Sequence, residues 1–271
     1  MAMRFCILGS GSSGNAAFLQ TGETRILIDA GFSARRLDQM LGAIGESLDR
    51  LDAIFLTHEH GDHTAGLTGL KRLPSLKVFA NNPTAGALTR TLKHPVAWQV
   101  FETGSRFRFR DITIDTFPVP HDAAEPVGFV FDWGHGDLLS PRHRIGWLTD
   151  LGHLPQQVRE RVRGVDLLVL EANYDHALLQ ADTKRPWSLK QRISGRHGHL
   201  SNQEACAFLA DCHGEQPGLR EVFLAHLSRD CNSVDAVQRE FATLHFPTGD
   251  TARFRVTPIA PGESSSVLEW S

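Results

Sequence analysis

Residues 51–63 read Leu51-Asp52-Ala53-Ile54-Phe55-Leu56-Thr57-His58-Glu59-His60-Gly61-Asp62-His63, and this stretch decides the fold. Its first half is an apolar run of strand length, and Thr64 to Leu73 beyond it has the spacing of a helix. The side chains that bind metals or move protons therefore sit on a tight loop at the carboxyl end of a strand, where the backbone is fixed and the side chains stay accessible. His58 and His60 are two residues apart, so in an extended segment they point the same way and can share one ion. Asp62 and His63 are adjacent, diverge as the chain turns into the helix, and can reach a second ion. Two divalent ions about 3.5–4 Å apart form the clamp of many hydrolases that act on phosphate esters. The competing reading is a solvated polar loop, and three histidines with an aspartate in so short a span argue against it.

Upstream, Arg25-Ile26-Leu27-Ile28-Asp29-Ala30-Gly31 reads as a buried strand ending in Asp29. A carboxylate there can accept N–H bonds from metal-bound imidazoles and fix their tautomer. It can equally form a turn, with Ser33 opening the next helix. Arg4 to Leu8 and Ala17 to Gln20 read as strands joined by the loop Gly9–Asn15. The backbone N–H groups of that loop, with Ser10, Ser12, Ser13 and Asn15, can cradle a phosphate; a plain hairpin turn is the alternative.

Downstream, Lys77 to Ala80 is a short strand, Pro83 to Thr91 a helix, and Arg106 to Arg110 and Ile112 to Phe117 a hairpin around Asp111. His121 follows at the end of the second strand and supplies the further imidazole that the upstream site lacks. Gly128 to Trp133 and Arg144 to Thr149 read as strands linked by a polar surface loop, 134–143. Asp150 ends the second of them and is the candidate for a carboxylate bridging two cations, or else a helix cap before Pro155. Val165 to Leu170 is another buried strand. Residues 183–203 contain Lys184, Arg185, Lys190, Arg192 and Arg196, with Trp187 among them and no acidic residue. This is either a solvated face or a groove for a polyanion backbone. Ser201 caps a helix running to Asp211, with Glu204 completing a capping box. Glu221 to Ala225 is a strand that delivers His226, completing the second ion's shell. Ser233 to Leu244 reads as a helix, and Arg253 to Val256 and Val267 to Trp270 as closing strands. No repeat, low-complexity tract or linker divides the chain, so residues 1–271 read as one domain.

Hydrophobic content of 41% and charged content of 22% are those of a globular protein. A net charge of -3 neither requires nor excludes a nucleic-acid partner. The 14 histidines agree with a metalloenzyme. Cys6, Cys206, Cys212 and Cys231 form no Cys-x-x-Cys pair and read as reduced, mostly buried residues. The amino terminus lacks a signal-peptide pattern and no apolar run is long enough to span a membrane. The expectation is a cytoplasmic protein with no membrane partner; the sequence does not fix its oligomeric state.

The assembled residues resemble the metallo-β-lactamase superfamily. His58-x-His60-x-Asp62-His63 is similar to its signature, and Asp29, His121, Asp150 and His226 stand in the order of its other motifs. The Gly9–Asn15 loop, Ile28-Asp29-Ala30-Gly31, the stretch from His121 to Gly128, Pro186 to Arg192 and Gly198-His199-Leu200-Ser201-Asn202 together resemble its YycJ/WalJ branch, which is linked to 5′-to-3′ exonuclease activity on DNA. The resemblance implies an α/β fold, a four-layer αββα sandwich of two mixed sheets with the metal site along one edge.

It also implies two divalent ions, Zn²⁺ or Mn²⁺: one on His58, His60 and His121, the other on Asp62, His63 and His226, with Asp150 bridging. A water between the ions, its pKa lowered to around 7, would attack phosphorus in line. Asp62, Asp150 and His199 are then the catalytic candidates. His199 is the general acid because related tRNA 3′-processing nucleases carry a His-Ser/Thr turn at the matching place. Its other reading is a helix-capping turn histidine. Ser10, Ser12, Ser13, Asn15, Lys190 and Ser201 are the candidates for substrate phosphates, with DNA favoured over RNA. A small-molecule hydrolase of the glyoxalase II or lactonase kind, and an RNA-processing nuclease, are the alternatives. The chain departs from the branch at Asn173-Tyr174-Asp175-His176, where Tyr174 occupies a histidine position; His176 could compensate or not.

Overall fold

Apolar residues at alternating positions build two sheets that face each other across one core. The computed structural model describes residues 3–134, 142–215, 218–242 and 254–270. The first sheet takes β1 (Met3–Gly9), β2 (Ala16–Gln20), β3 (Arg25–Ile28), β4 (Ala53–Phe55), β5 (Lys77–Asn81) and β6 (Ala97–Phe101). The second takes β7 (Arg106–Phe109), β8 (Ile112–Pro118), β9 (Val127–Trp133), β10 (His143–Leu148), β11 (Leu167–Glu171), β12 (Glu221–Ala225) and β13 (Arg255–Pro258). β14 (Leu268–Trp270) returns to pair with β1, giving seven strands in each sheet among the described residues. Each sheet is mixed: β1 to β3 and β7 to β10 are antiparallel neighbours, whereas β3 to β6 and β10 to β13 are parallel.

In β1, Met3, Phe5 and Ile7 point into the inter-sheet core, while Cys6 and Leu8 point to the outer layer. β11 divides in the same way, with Leu167 and Val169 inward and Leu168 and Leu170 outward. Strands buried on both faces read as unbroken apolar runs, as these do. Phe55 sits in the middle of the core, stacked on Phe79 at 4.4 Å and met edge-on by Phe129 and Phe131.

The helices are α1 (Ala34–Ala43), α2 (Gly61–Thr64), α3 (Asn82–Thr91), α4 (Gln156–Arg161), α5 (His176–Ala181), α6 (Trp187–Ile193), α7 (Asn202–Glu215) and α8 (Val234–Ala242). Leu37 and Leu41 of α1 and Leu88 of α3 cover the outside of the first sheet. Val158 of α4, Phe208 and Leu209 of α7 and Val237 of α8 cover the second. The layers are thus αββα, as the resemblance implied.

Two departures have identifiable causes. The helix expected over 64–73 winds instead as a 3₁₀ helix, Ala65–Arg72, after the short α2. Gly66 N donates to Ala30 O at 2.8 Å, so docking on the β3–α1 connection sets the winding in place of intrinsic preference. β6 was not anticipated. It is an edge strand whose Gln99 and Val100 are exposed, so its apolar residues do not mark a buried face. In the polar loop 134–143, residues 135–141 lie outside the described residues, as do residues 243–244 and 253 of the expected carboxyl-terminal elements, and His143 belongs to β10.

All four cysteines are buried and none forms a disulfide among the described residues. Burial, helped by Glu240, pushes the Cys206 thiol up to about 11, and burial also raises those of Cys6 and Cys231. The thiolate is the reactive form. Ellman's reagent in mildly alkaline buffer is therefore expected to label none of the 4 cysteines in the native protein and all of them after unfolding. Fast native-state labelling would show that one of these sites opens locally. No helix among the described residues is long and apolar enough to cross a membrane.

Candidate metal centre

Six strand ends on one rim of the sandwich supply the polar side chains. Asp29 follows β3, the His58–His63 loop follows β4, His121 follows β8, Asp150 follows β10, Glu171 ends β11 and His226 follows β12. Ligand atoms of His58, His60 and His121 lie within 4.8 Å of one another, as do those of Asp62, His63 and His226. Asp150 forms a further such group with His58 and His63, and lies between the other two.

Nε2 of His58, Nε2 of His226 and Oδ2 of Asp150 are buried without a hydrogen-bond partner. Leaving buried polar atoms unpaired is costly, roughly 1–3 kcal/mol each, and a cation between them removes that cost. The donors are imidazole and carboxylate with no thiolate, a set that suits a divalent metal of the Zn²⁺ or Mn²⁺ kind. The residues present fit such an ion.

The surroundings turn each ring the right way. His63 Nδ1 donates to Asp29 Oδ2 at 2.8 Å, and Asp29 Oδ1 accepts Thr57 N at 2.8 Å. His121 Nδ1 donates to Gly198 O at 2.9 Å, and His226 Nδ1 to Glu171 Oε1 at 2.7 Å. In all three the outer nitrogen is occupied and Nε2 faces inward, the usual arrangement behind ligating histidines. His63 Nε2 stands 3.1 Å from Asp150 Oδ2.

Electrostatics follow from burial and mutual approach. Burial would raise the Asp150 carboxyl, but His226, His63 and His58 hold it well below the usual carboxylate range. Burial and the neighbouring imidazoles keep His58 neutral, the state in which its lone pair can ligate. Burial works against charge on His226 too, yet Asp150, Asp62 and Glu171 outweigh it and lift that ring to about 10.

The backbone is bent hard at the same place. Asp29, Asp150 and His226 have φ of 60°, 58° and 57°, left-handed values at residues that are not glycine. Such conformations cost of order 1–3 kcal/mol and persist where the surroundings over-determine them. Gly31 shows how tight the packing is, since a Cβ there would stand 1.7 Å from Asp62 O. Gly31→Ala must push the Asp62 loop away, at a cost of about 1–3 kcal/mol in stability. It is expected to lower the metal bound per chain, measured by plasma mass spectrometry after dialysis; undiminished metal would show that Asp62 does not depend on this contact.

A cleft of about 290 Å³ opens above the cluster, walled by Ser12, Asp122, Leu189, Arg192, Ile193, Gly198 and His199. His199 Nδ1 donates to Glu171 Oε1 at 2.9 Å, which leaves Nε2 as the ring nitrogen available to the cleft. Gly198 permits this turn, because a Cβ on it would lie 2.2 Å from the carbonyl oxygens of Arg192 and Ile193. Glu171 is the residue that the sequence reading missed. It is fully buried, and its Oε2 accepts the N–H groups of Leu151 and Leu200, both at 3.0 Å. Burial opposes its charge, but His199 and His226 hold it at about 2. The available signal was positional, a carboxylate ending an apolar strand just as Asp29 and Asp150 do.

Several expected phosphate contacts are absent. Ser10 is buried; its Oγ donates to Asn15 Oδ1 and accepts His226 N at 2.8 Å. Asn15 is also buried, with Nδ2 3.1 Å from His63 Nε2, so both residues shape the metal loops. Lys190 Nζ is spent on Gln180 O at 2.7 Å, tying α6 to α5. Ser201 is buried in its capping box with Glu204. Only Ser12 and Ser13 of this group are exposed. The basic run is not an open polyanion groove either, because Asp230, Asp182 and Asp122 from elsewhere pair with Lys184, Arg185 and Arg192. Tyr174 is a core residue, buried against Leu179 and Cys231, while His176 is exposed at the start of α5 and does not reach the cleft.

The sandwich and the polar cluster at its rim define a hydrolase of the metallo-β-lactamase type. The chain belongs to that superfamily: the family model described as "Beta-lactamase superfamily domain" matches residues 24–226. It is 32% identical over 234 residues to an exodeoxyribonuclease YycJ of Bacillus anthracis, covering 86% of this chain and 85% of the relative. It is 32% identical over 241 residues to an exodeoxyribonuclease WalJ of Streptococcus pneumoniae, covering 86% and 84%. The chain therefore stands in the YycJ/WalJ branch. The metallo-β-lactamase-fold protein YhfI from Bacillus subtilis superposes over 99% of each chain with a TM-score of 0.70 at 18% identity, a likeness of fold alone.

Proposed function

We propose that the chain is a metal-dependent phosphodiesterase that removes nucleotides from the 5′ end of DNA. One observation carries the reading: a single buried oxygen, Glu171 Oε1, receives Nδ1 of both His226, beside the ion site, and His199, in the cleft wall. That bond aligns an ion-holding ring with a proton-holding one. On this reading His58, His60 and His121 hold one divalent ion, Asp62, His63 and His226 hold a second, and Asp150 lies between them. When bound, such ions would make water nucleophilic at neutral pH and offset the charge that builds on phosphorus.

The chain's own residues do the positioning. Asp29, Gly198 and Glu171 fix the rings whose Nε2 atoms face the ions. Burial alone would depress the His199 pKa, and Glu171 more than reverses this, which favours the protonated ring. His199 Nε2 gives that proton to the 3′ oxygen as the P–O3′ bond breaks. The remaining strand then begins again with a 5′-phosphate. Identity to two exodeoxyribonucleases supports DNA over RNA. Four buried cysteines outside any disulfide among the described residues agree with a reducing, cytoplasmic setting.

The test is digestion of 5′-phosphorylated duplex and single-stranded DNA, with matched RNA, in Mn²⁺ and in Zn²⁺. Release of mononucleotides from the 5′ end of DNA is expected, lost on metal stripping and in His60→Ala. Stronger cleavage of RNA would move the reading to an RNA-processing nuclease. No polymer cleavage by a fully metallated protein would move it to a small-molecule hydrolase of the glyoxalase II or lactonase kind.

A further inference from the structure

Arg192 lines the cleft, and the cations of the segments that flank it differ in one respect. Arg196 lies against His153, and Lys184, Arg185 and Arg192 each pair with a carboxylate. Arg229 does not: it is exposed, its Nη2 donates to Ser13 Oγ at 3.1 Å, and among the described residues no acidic side chain pairs with it. It follows His226 by three residues on the same connection. Its guanidinium passes beside Gly262, where a Cβ would stand 3.5 Å from Nη2, so the turn there leaves it room. Ser12, adjacent to Ser13, lines the cleft.

The loop that presents both serines is fixed from below. Ser10 Oγ accepts His226 N, Gly11 N donates to Asn15 Oδ1, and Gly14 N donates to Gly11 O. Two exposed hydroxyls and an uncompensated guanidinium are therefore held on the His226 side of the cleft. Arg192 and Asp122 stand by His121, a ligand of the other proposed ion.

A terminal phosphate differs from an internal one in its second negative charge. A guanidinium without a carboxylate partner, joined by hydroxyl donors, selects for that difference. We propose that Arg229, with Ser12 and Ser13, binds the terminal 5′-phosphate of the substrate strand. This rests on the 5′-exonuclease reading and gives it a direction: the 5′ end lies toward His226 and the downstream strand leaves past His121 and Arg192. Because each P–O3′ cleavage leaves a new 5′-phosphate on the remaining strand, the same contact serves every cycle.

The experiment compares one DNA oligonucleotide carrying a 5′-phosphate with the same oligonucleotide carrying a 5′-hydroxyl, using metal-loaded wild type, Arg229→Gln and Arg229→Lys. Thermal melting checks that each is folded, and bis(4-nitrophenyl) phosphate checks that the centre is active. A charge-assisted, two-pronged contact leads to a wild-type preference in kcat/KM for the 5′-phosphate on the order of 10- to 100-fold. The ratio should collapse toward one in Arg229→Gln and be intermediate in Arg229→Lys. Equal rates on both ends by wild type, or a preference retained in Arg229→Gln, would overturn the proposal while leaving the exonuclease reading standing. Absence of mononucleotides from either DNA, with the small diester still cleaved, would overturn the exonuclease reading and this inference with it.

Discussion

Replacing Asp150 by asparagine is expected to give a folded protein whose turnover falls on the order of 10³-fold, the upper range for removing one preorganised charge from an active site. The carboxylate is 2% exposed and stands among imidazoles, with His63 Nε2 at 3.1 Å, His226 Nδ1 at 3.4 Å and His121 Nε2 at 3.9 Å. Asparagine keeps the volume and tolerates the left-handed backbone at this position, so the fold survives. What disappears is the central anion. Metal content should fall with activity. The melting temperature of the variant should also lose its dependence on added Mn²⁺ or Zn²⁺, because a ligand stabilises only the state that binds it. Parallel measurement of metal content, melting and diester hydrolysis checks all three. Full activity in Asp150→Asn would remove this carboxylate from the centre of the site.

Glu171→Gln should be nearly as damaging, for a different reason. Four N–H donors converge on this side chain: Leu151 N and Leu200 N on one oxygen, His199 Nδ1 and His226 Nδ1 on the other. An amide offers one acceptor atom, so its NH₂ must face two other donors whichever way it turns. At about 1–3 kcal/mol for each buried donor left unpaired, stability should fall by roughly 2–6 kcal/mol. Loss of ring orientation beside a metal typically costs 10- to 100-fold, and two rings are affected, so activity should drop on the order of 10²- to 10⁴-fold.

The pH profile separates misorientation from simple instability. Glu171 raises the pKa of His199, and a general acid acts in its protonated form. With His199 as the proposed general acid, the wild-type rate is therefore expected to decline on the alkaline side as that proton is lost. Removing the Glu171 charge lowers the pKa and moves the decline to lower pH. A folded Glu171→Gln protein with an unmoved alkaline limb would show that Glu171 does not act through His199.

The metal cluster was legible because its residues are local or lie at strand ends. His58 to His63 declare themselves by spacing, and His121, Asp150 and His226 each follow an apolar run that the structure forms as a strand. The rim of the sandwich gathers them. What could not be read was direction and compensation. Lys190 looks like a phosphate contact in a basic segment, but its stem crosses to α5 and its charge ends on a carbonyl. Lys184, Arg185 and Arg192 look unopposed within 183–203, yet their carboxylates come from Asp182, Asp230 and Asp122 outside it. Ser10 and Asn15 share a loop with Ser12 and Ser13 but turn inward, because two of the loop's glycines take backbone conformations with positive φ, 130° at Gly11 and 152° at Gly14. Glu171 carries no signal in the sequence beyond its place at a strand end, because the two rings it orients, His199 and His226, come from distant parts of the chain. The 3₁₀ winding after α2 depended on a contact with Ala30, a distant part of the chain.

The left-handed residues at three strand ends carry a consequence for how such a protein changes over generations. Glycine adopts these dihedrals freely, whereas another residue pays roughly 1–2 kcal/mol at each. In a lineage screened only for survival of heat, with no demand for turnover, the dihedral at Asp150 rewards mutation to glycine, since its Oδ2 is buried without a hydrogen-bond partner. At Asp29 the bonds accepted from Thr57 and His63, and at His226 the bond to Glu171, outweigh the backbone gain. Heat-hardened descendants would then keep the sandwich and lose the carboxylate at the middle of its rim.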